Sequence, residues 1–292
     1  MKSNVSIGIV FLILAGSLTC SAFAQTVPKD AADQLSANQD TIFRFQKKIS
    51  YPIVSFAVNN LGELYVINTG NELKKFDDKR DSAGVFNQVT KYGKLSYVDA
   101  QNPWRTILFY EDFSNIVLLD KYLNVVSSIN LRNQNIFGVK AVSGSYDNNI
   151  WLFDEQENKL KKIDDAGTTL MESNDFRQLF DSVPSPVQIL DRDGFVYLYD
   201  PKRGVYVFDY YGTFKNRLLF LNYTEIGINN KNIYGLKDGK LSRYNSITLA
   251  EKQFHLPFSY ASFKIANNKV YLLRQAGSGS LISEVPLQFF AN

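Results

Sequence analysis

The sequence predicts an all-β protein, a six-bladed β-propeller closed by an N-terminal strand that joins the last blade. Three observations predict it. A pattern of short strands and tight turns recurs six times, the copies follow one another at intervals of about 41 residues, and helical periodicity is nearly absent. Four strands of about five residues and their turns need about that many residues, which is the size of one propeller blade.

Each copy has a turn rich in Gly, Asn or Asp, a strand with a bulky and usually aromatic central residue, a second turn, and a second apolar strand that often ends in Asp. The copies span residues 61–77, 103–120, 148–164, 193–209, 230–245 and 267–283. Their central residues are Tyr65, Leu108, Trp151, Tyr197, Tyr234 and Tyr271. Aromatic and β-branched residues in this arrangement are typical of pleated strands with a buried face.

Further apolar stretches complete the units. One stretch precedes every copy, as at residues 53–58, and another follows each of the first five copies, as at residues 125–131, so each unit contains four strands. The exception to the β pattern is residues 175–183, where Asp175 can cap a short helix that Pro184 ends.

The first and last units contain the signal for ring closure. The sixth copy ends near Leu287 with little sequence beyond its third strand, whereas residues 41–49 precede the first copy without a blade of their own. Pairing of this N-terminal stretch with the last blade would leave no open sheet edge. We therefore expect the N-terminal strand to complete the sixth blade.

The first copy resembles the NHL repeat, whose pattern is a Gly, an aromatic strand, a turn containing T-G-N, and an amphipathic strand ending in F-D. The matching residues are Gly62, Tyr65, Val66, Thr69, Gly70, Asn71, Phe76 and Asp77. Asn68 replaces the Asp that usually follows the aromatic strand, and the other copies keep only part of the pattern. The resemblance, which covers residues 42–287 as an architecture, implies a six-bladed propeller of the NHL type.

The N-terminus predicts export. Lys2 precedes an apolar run from Ile7 to Leu18, and residues 22–24 read A-F-A, so we expect a signal peptide at residues 1–24 with cleavage before Gln25. A lipoprotein signal with Cys20 as the lipid acceptor is the alternative, but the residues before Cys20 fit it poorly. We expect residues 25–40 to be a flexible lead-in, residues 41–292 to be a single propeller domain, and the location to be the periplasm.

Composition excludes several chemistries. The 32 basic residues nearly balance the 29 acidic ones, giving a net charge of +3 and no case for nucleic-acid binding. One His and one Cys exclude His-rich or Cys-rich metal sites and most nucleophilic triads. His255 is interpreted as an ordinary outer-strand residue. No catalytic residue, metal site or cofactor is predicted.

Carboxylates leave two alternatives open. Asp191, Asp193 and Gly194 are spaced as in part of a calcium loop, although the same spacing fits a plain hairpin, which we favour. Paired acids such as Asp164 and Asp165 leave room for carboxylate-based hydrolysis. The predicted first-strand stretches end at their last apolar residue, and Glu225 is the only acidic residue in them. This argues against a ring of acids at the central opening.

These exclusions favour a non-catalytic propeller that binds a protein. In size and export signal the chain is also similar to the Plug subunits of the type 9 secretion translocon, which implies an accessory or plug role in an outer-membrane secretion complex. The alternative is a carboxylate-based sugar-binding protein or a lactonase- or lyase-type enzyme. Aromatic residues outside the strand pattern are the candidates for protein interaction, with core packing as their alternative: Phe176, Phe180, Tyr210, Tyr211, Phe289 and Phe290.

Overall fold

The computed structural model describes residue 43 and residues 45–79 and 81–290. The predicted signal peptide (1–24) and lead-in (25–40) lie outside these residues. The described chain forms six four-stranded antiparallel sheets arranged as the blades of a propeller, so the predicted fold class is confirmed. None of the helices in this part of the chain is long and apolar enough to cross a membrane.

The strands are numbered in chain order. Blade 1 contains β2 (Ile53–Val58), β3 (Leu64–Asn68), β4 (Leu73–Phe76) and β5 (Ser82–Phe86). Blade 2 contains β6 (Tyr97–Asn102), β7 (Arg105–Tyr110), β8 (Asn115–Asp120) and β9 (Val125–Asn130). Blade 3 contains β10 (Val142–Gly144), β11 (Ile150–Asp154), β12 (Lys159–Ile163) and β13 (Thr169–Glu172).

The remaining blades follow the same order. Blade 4 contains β14 (Gln188–Arg192), β15 (Phe195–Asp200), β16 (Gly204–Asp209) and β17 (Phe214–Leu218). Blade 5 contains β18 (Ile226–Asn229), β19 (Asn232–Lys237), β20 (Lys240–Asn245) and β21 (Glu251–His255). Blade 6 contains β22 (Ser262–Ala266), β23 (Lys269–Ala276), β24 (Gly279–Pro286) and, as its outermost strand, β1 (Phe45–Ile49).

The blades close into a ring in two ways. The first strands contact one another in sequence around the axis, and β22 contacts β2. At the outer edge, β1 pairs antiparallel with β24, with Ile49 opposite Ser280. The predicted closure by the N-terminal strand is therefore confirmed, and it joins residues from the two ends of the described chain in one sheet.

Apolar cores lie between neighbouring blades. The six main clusters of buried apolar side chains each join one adjacent pair of blades. All six predicted central residues lie on the second strand of their blade and are buried. Since full burial of a large apolar side chain contributes roughly 1.5–3 kcal/mol, these positions explain why the aromatic pattern recurs in the sequence.

The antiparallel order divides the turns between two faces. We call the front face the one that has the turns between first and second strands and between third and fourth strands. The back face has the turns between second and third strands and the connections from blade to blade. These connections contain two short α-helices, α1 (Val89–Tyr92) and α2 (Phe176–Leu179), and a 3-10 helix at Leu131–Gln134. The predicted helix is thus present as α2, and Asp175 caps it by accepting a hydrogen bond from the Arg177 N–H at 2.9 Å.

Candidate binding site at the mouth of the channel

A cavity of about 430 Å³ opens on the front face where the inner ends of blades 2, 3 and 4 meet. Its volume lies within the range of roughly 300–1,000 Å³ that is typical of small-molecule sites. Most of its lining residues have polar side chains. They come from the first strands and the turns that follow them, together with Arg105 of β7 and Tyr210 of the turn after β16. The lining includes Asn60, Asp99, Gln101, Asn102, Arg105, Tyr146, Asn148, Asn149, Asp191, Arg192, Asp193 and Tyr210.

Asp191, at the end of β14, is the most heavily bonded side chain of this site. Its carboxylate is buried, and Oδ2 accepts hydrogen bonds from Trp151 Nε1 at 2.9 Å, Ser145 Oγ at 3.2 Å and the Tyr146 N–H at 3.2 Å. Its Oδ1 accepts from the Tyr210 hydroxyl at 2.7 Å. Protein donors thus take up most of the hydrogen-bonding capacity of this carboxylate.

Asp191 thus binds the turn after β10 in blade 3, through Ser145 and Tyr146. Asp99, in β6 of blade 2, binds the start of the same turn. Its buried Oδ2 accepts from the Gly144 N–H at 2.8 Å and from Ser143 Oγ at 3.3 Å, and its Oδ1 accepts from the Gln101 N–H at 3.0 Å. The turn of blade 3 at residues 144–149 is therefore fixed between two buried carboxylates that come from blades 2 and 4.

The fixed turn presents the ring of Tyr146. This ring stacks on Tyr210, with centroids 4.2 Å apart and planes 16° from parallel, yet it is 64% exposed. Burial, together with the hydrogen bond to Asp191, raises the pKa of Tyr210 above its usual value, so the hydroxyl stays protonated and donates. Tyr146 is thus a flat, accessible ring whose position is set by Asp191 and Tyr210.

Two arginines line the cavity. Arg192 donates to the Gln101 side-chain oxygen and to the carbonyl of Asp191. Arg105 forms an ion pair with Asp165. The Arg105 Nε is buried and has no hydrogen-bond partner in the part of the chain that the structure describes. Burial lowers the pKa of Arg105, although the attraction of Asp165 and Asp99 acts in the opposite direction.

Below the cavity the central channel is nearly filled. A space of only about 60 Å³ lies between the first strands of blades 1, 2, 4, 5 and 6, and its lining includes Tyr97, Arg192, Phe263 and Lys264. Burial raises the pKa of Tyr97 far above its usual value, so its hydroxyl stays uncharged. The free space below the front-face cavity is thus much smaller than the cavity itself.

The two acids on the first strands correct the sequence analysis. Glu225 precedes β18 and pairs with Lys264, but Asp99 and Asp191 also lie on first strands. They occupy matching positions, since Asp99 faces Ile107 and Asp191 faces Val196, each just before the central residue of the second strand. The predicted first-strand stretches end at the apolar residue just before each acid, so they leave out both carboxylates.

The possible calcium loop is a hairpin. Asp193 and Gly194 form a two-residue turn between β14 and β15, both with positive φ (54° and 86°). Left-handed residues are what a tight hairpin turn requires, and Asp and Gly tolerate them best. The described residues include no group of three or more His, Cys, Asp or Glu side chains arranged to hold a metal ion.

Three of the predicted interaction residues pack inside the protein. Phe176 is fully buried and stacks on Phe208 at 5.0 Å. Phe180 is partly buried against the same cluster. Phe290 is buried between blades 5 and 6, with its ring 5.4 Å from Phe254. The segments that contain these residues, after β13 for Phe176 and Phe180 and after β24 for Phe290, cover the cores between blades, so aromatic residues outside the strands fill these cores.

The other three lie on the front face. Tyr210 belongs to the cavity, Tyr211 at the adjoining turn position is 86% exposed, and Phe289 follows β24 and is 46% exposed. An interaction role for the accessible rings of Tyr211 and Phe289 stays a prediction.

Asp147 gives the turn a measurable pH dependence. Burial alone would raise its pKa, but hydrogen bonds from Lys162, Ser145 and Asn149 lower it to about 2; the Lys162 Nζ lies 2.7 Å from Oδ2. Because the unfolded pKa is near 3.9, the ionised form stabilises the fold above about pH 4, and this contribution is lost as the pH falls towards 2.

We therefore expect Asp147→Asn to lower the free energy of unfolding by about 1 kcal/mol at pH 7. The difference from wild type should shrink towards zero between pH 4 and pH 2. Urea unfolding at pH 7, 4 and 2.5 measures it. A difference that stays constant across this range would show that the Lys162 ion pair contributes nothing to stability.

No protein-family model matches the sequence, and no curated protein sequence matches it either. Several solved structures are similar to this chain in fold. A catalytically inactive variant of virginiamycin B lyase from Staphylococcus aureus, in complex with quinupristin, has 14% identity and a TM-score of 0.56, over 84% of this chain and 89% of that one. The Pan2 WD40 domain of Neurospora crassa has 12% identity and a TM-score of 0.56, over 78% and 74%.

PorZ, an essential bacterial surface component of the type-IX secretion system of Porphyromonas gingivalis, is similar at 13% identity with a TM-score of 0.53. The match covers 80% of this chain and 31% of PorZ. At such identities these likenesses show the fold alone, and the narrower resemblance to NHL repeats stays a prediction. The chain is a six-bladed β-propeller.

Proposed function

We propose that this chain is a non-catalytic periplasmic propeller that binds a protein partner through its front face, as an accessory or plug subunit of an outer-membrane secretion complex. The observation that carries the proposal is a set of large apolar side chains, each 60–86% exposed, at the tips of front-face turns. They are Leu61, Trp104, Tyr122, Tyr211 and Ile247.

One device presents all five side chains. Each follows by two positions an Asn or Asp whose Oδ1 accepts its backbone N–H at 2.8–3.0 Å. The acceptors are Asn59, Asn102, Asp120, Asp209 and Asn245. Such turns fix the backbone before a partner arrives, which lowers the entropic cost of binding.

The chemistry of these side chains fits a protein partner. Aromatic residues are enriched at the centres of protein interfaces and often provide most of the binding energy. Lys121 Nζ lies 4.6 Å from the Trp104 ring and 4.8 Å from the Tyr122 ring, so a cation links these two aromatics into one patch. A partner with apolar pockets at the spacing of the turns would fit this surface.

Three further observations support a non-catalytic, secretion-related role. Asp99 and Asp191 accept hydrogen bonds from the turn at residues 144–149, so both carboxylates serve to hold that turn. His255, the one histidine of the sequence, is an exposed residue at the end of β21, the outermost strand of blade 5, whereas the inactive virginiamycin B lyase variant has a histidine replaced by alanine. The PorZ structure shows that a chain containing this fold can be part of a type-IX secretion system.

Capture from detergent-solubilised envelopes tests the proposal. We expect the wild-type chain to recover one stoichiometric outer-membrane protein, and the double variant Trp104→Ala/Tyr211→Ala to recover at least tenfold less, because two exposed anchors are lost. The matched control is Phe113→Ala/Leu219→Ala, which removes two exposed apolar side chains from the back face.

Equal capture by the front-face and control variants would contradict the role of the front face. A chain that captures no partner and turns over a lactone or a saccharide would favour the enzymatic alternative.

A further inference from the structure

Among the residues that line the front-face cavity, the proposed docking role uses only Asn102. Five carboxamide side chains surround the cavity: Asn60, Gln101, Asn102, Asn148 and Asn149. Each carboxamide offers two donors and an acceptor, so the cavity can exchange hydrogen bonds in both directions with one ligand. The pairing of Asn102 Nδ2 with Asn148 Oδ1 at 2.9 Å joins the turns of blades 2 and 3 and fixes two of these groups.

The charged groups of the cavity are mostly compensated within the protein. Asp99 and Asp191 accept protein donors, Arg105 pairs with Asp165, and Arg192 donates to Gln101. A ligand of high charge would therefore have to displace existing bonds. An uncharged ligand with many hydroxyl groups would not.

Tyr146 adds an exposed aromatic ring to the polar cavity. Its exposed ring is held flat by the stack on Tyr210, and Tyr210 is itself held by Asp191. A rigid aromatic ring beside a polar cavity can take the C–H face of a pyranose, while the carboxamides take its hydroxyls. We propose that this cavity binds an uncharged saccharide, with one sugar unit stacked on Tyr146 and its hydroxyls bonded to the surrounding carboxamides.

Titration calorimetry on the chain from residue 25 onward tests this inference, with chitohexaose, cellohexaose, maltohexaose and mannohexaose as probes. We expect at least one of them to bind with one-to-one stoichiometry and a Kd below 1 mM. Tyr146→Ala should weaken that binding at least tenfold. Tyr146→Phe, which keeps the ring, should retain it, and the back-face variant Phe113→Ala should bind as wild type does.

Absence of binding by all four probes overturns the inference, and so does binding that Tyr146→Ala leaves unchanged. Tighter binding of polygalacturonate, an acidic saccharide, than of every neutral probe overturns the uncharged class. Thermal unfolding of each variant shows that it is folded. The inference is independent of the docking role, because Trp104→Ala/Tyr211→Ala should lose the protein partner and keep the saccharide.

Discussion

Replacing Gly279 with alanine is expected to lower the free energy of unfolding by about 3 kcal/mol. A Cβ at this position would lie 2.3 Å from the carbonyl oxygen of Ile49. Backbone atoms cannot move aside as the end of a flexible side chain can, so β1 or β24 would have to shift. Gly279 begins β24, and Ile49 ends the closing strand β1.

The closing contact depends on several bonds at this point. Ser280, the next residue, faces Ile49 and accepts a buried hydrogen bond from the Ile53 N–H at 2.9 Å. Gln275 Nε2 donates to the Ile53 carbonyl at 3.0 Å. A shift of β1 would therefore loosen both the edge of blade 6 and the entry into blade 1.

Gly277→Ala is the matched control for this prediction. Gly277 lies in the same hairpin with φ of 61° and has open space where a Cβ would project, so only the cost of a left-handed alanine applies, about 1 kcal/mol. Chemical denaturation of both variants measures the difference, and amide exchange at residues 47–49 reports on β1 directly. Equal costs at positions 277 and 279 would mean that β1 is not packed tightly against β24.

The propeller could be predicted because its signal is local and repeated. Each central residue, such as Tyr65 or Trp151, sits between short turns of Gly, Asn and Asp, and a short sequence window contains the whole pattern. The repeat length then specifies the blade, and the unmatched stretch before the first copy specifies the closing strand. Burial of the central residues between blades is the physical reason for their recurrence.

The candidate site could not be predicted in the same way, because its contacts join separate blades. Asp191 binds Trp151 and Tyr146, which lie 40 and 45 positions away, and Asp99 binds Gly144 at a separation of 45. A carboxylate that ends an apolar strand looks in sequence like the start of a polar turn. Only the ring arrangement shows that two such acids converge on one turn.

The docking residues carry a local sequence signal. Trp104 lies inside the second copy and Tyr122 lies just after it, before the apolar stretch at residues 125–131, so in sequence both look like part of the strand pattern. An apolar residue two positions after Asn or Asp, within a turn, indicates an exposed side chain on a fixed backbone. By contrast, Phe176 and Phe290 lie outside the strands and are buried, because the segments that contain them, after β13 and after β24, cover the cores between blades.

Asp191→Asn is expected to lower the free energy of unfolding by about 3 kcal/mol, although the side chain keeps its size. The carboxylate accepts four hydrogen bonds, three of them at Oδ2. An amide can accept at only one atom, so its NH2 group would face either the donors at Oδ2 or the Tyr210 hydroxyl. Buried donors would be left unsatisfied in either orientation.

Asp193→Asn, two positions along, is the control. Asp193 is an exposed turn residue with φ of 54°, which Asn adopts readily, so its replacement should change stability by less than about 0.5 kcal/mol. Denaturant unfolding compares the two variants. If Asp191→Asn were as stable as Asp193→Asn, the cost of burying the charge would already cancel the four bonds.

Asp191→Asn also tests whether Asp191 positions the ring of Tyr146 for binding or only stabilises the fold. Asp191 lines the cavity, but its carboxylate accepts protein donors and holds both Tyr210 and the backbone of Tyr146. At a temperature where Asp191→Asn remains folded, we therefore expect saccharide binding to weaken about as much as in Tyr146→Ala, while the capture of a protein partner through Trp104 and Tyr211 stays near that of wild type. Loss of both functions together would instead indicate general unfolding of the front face.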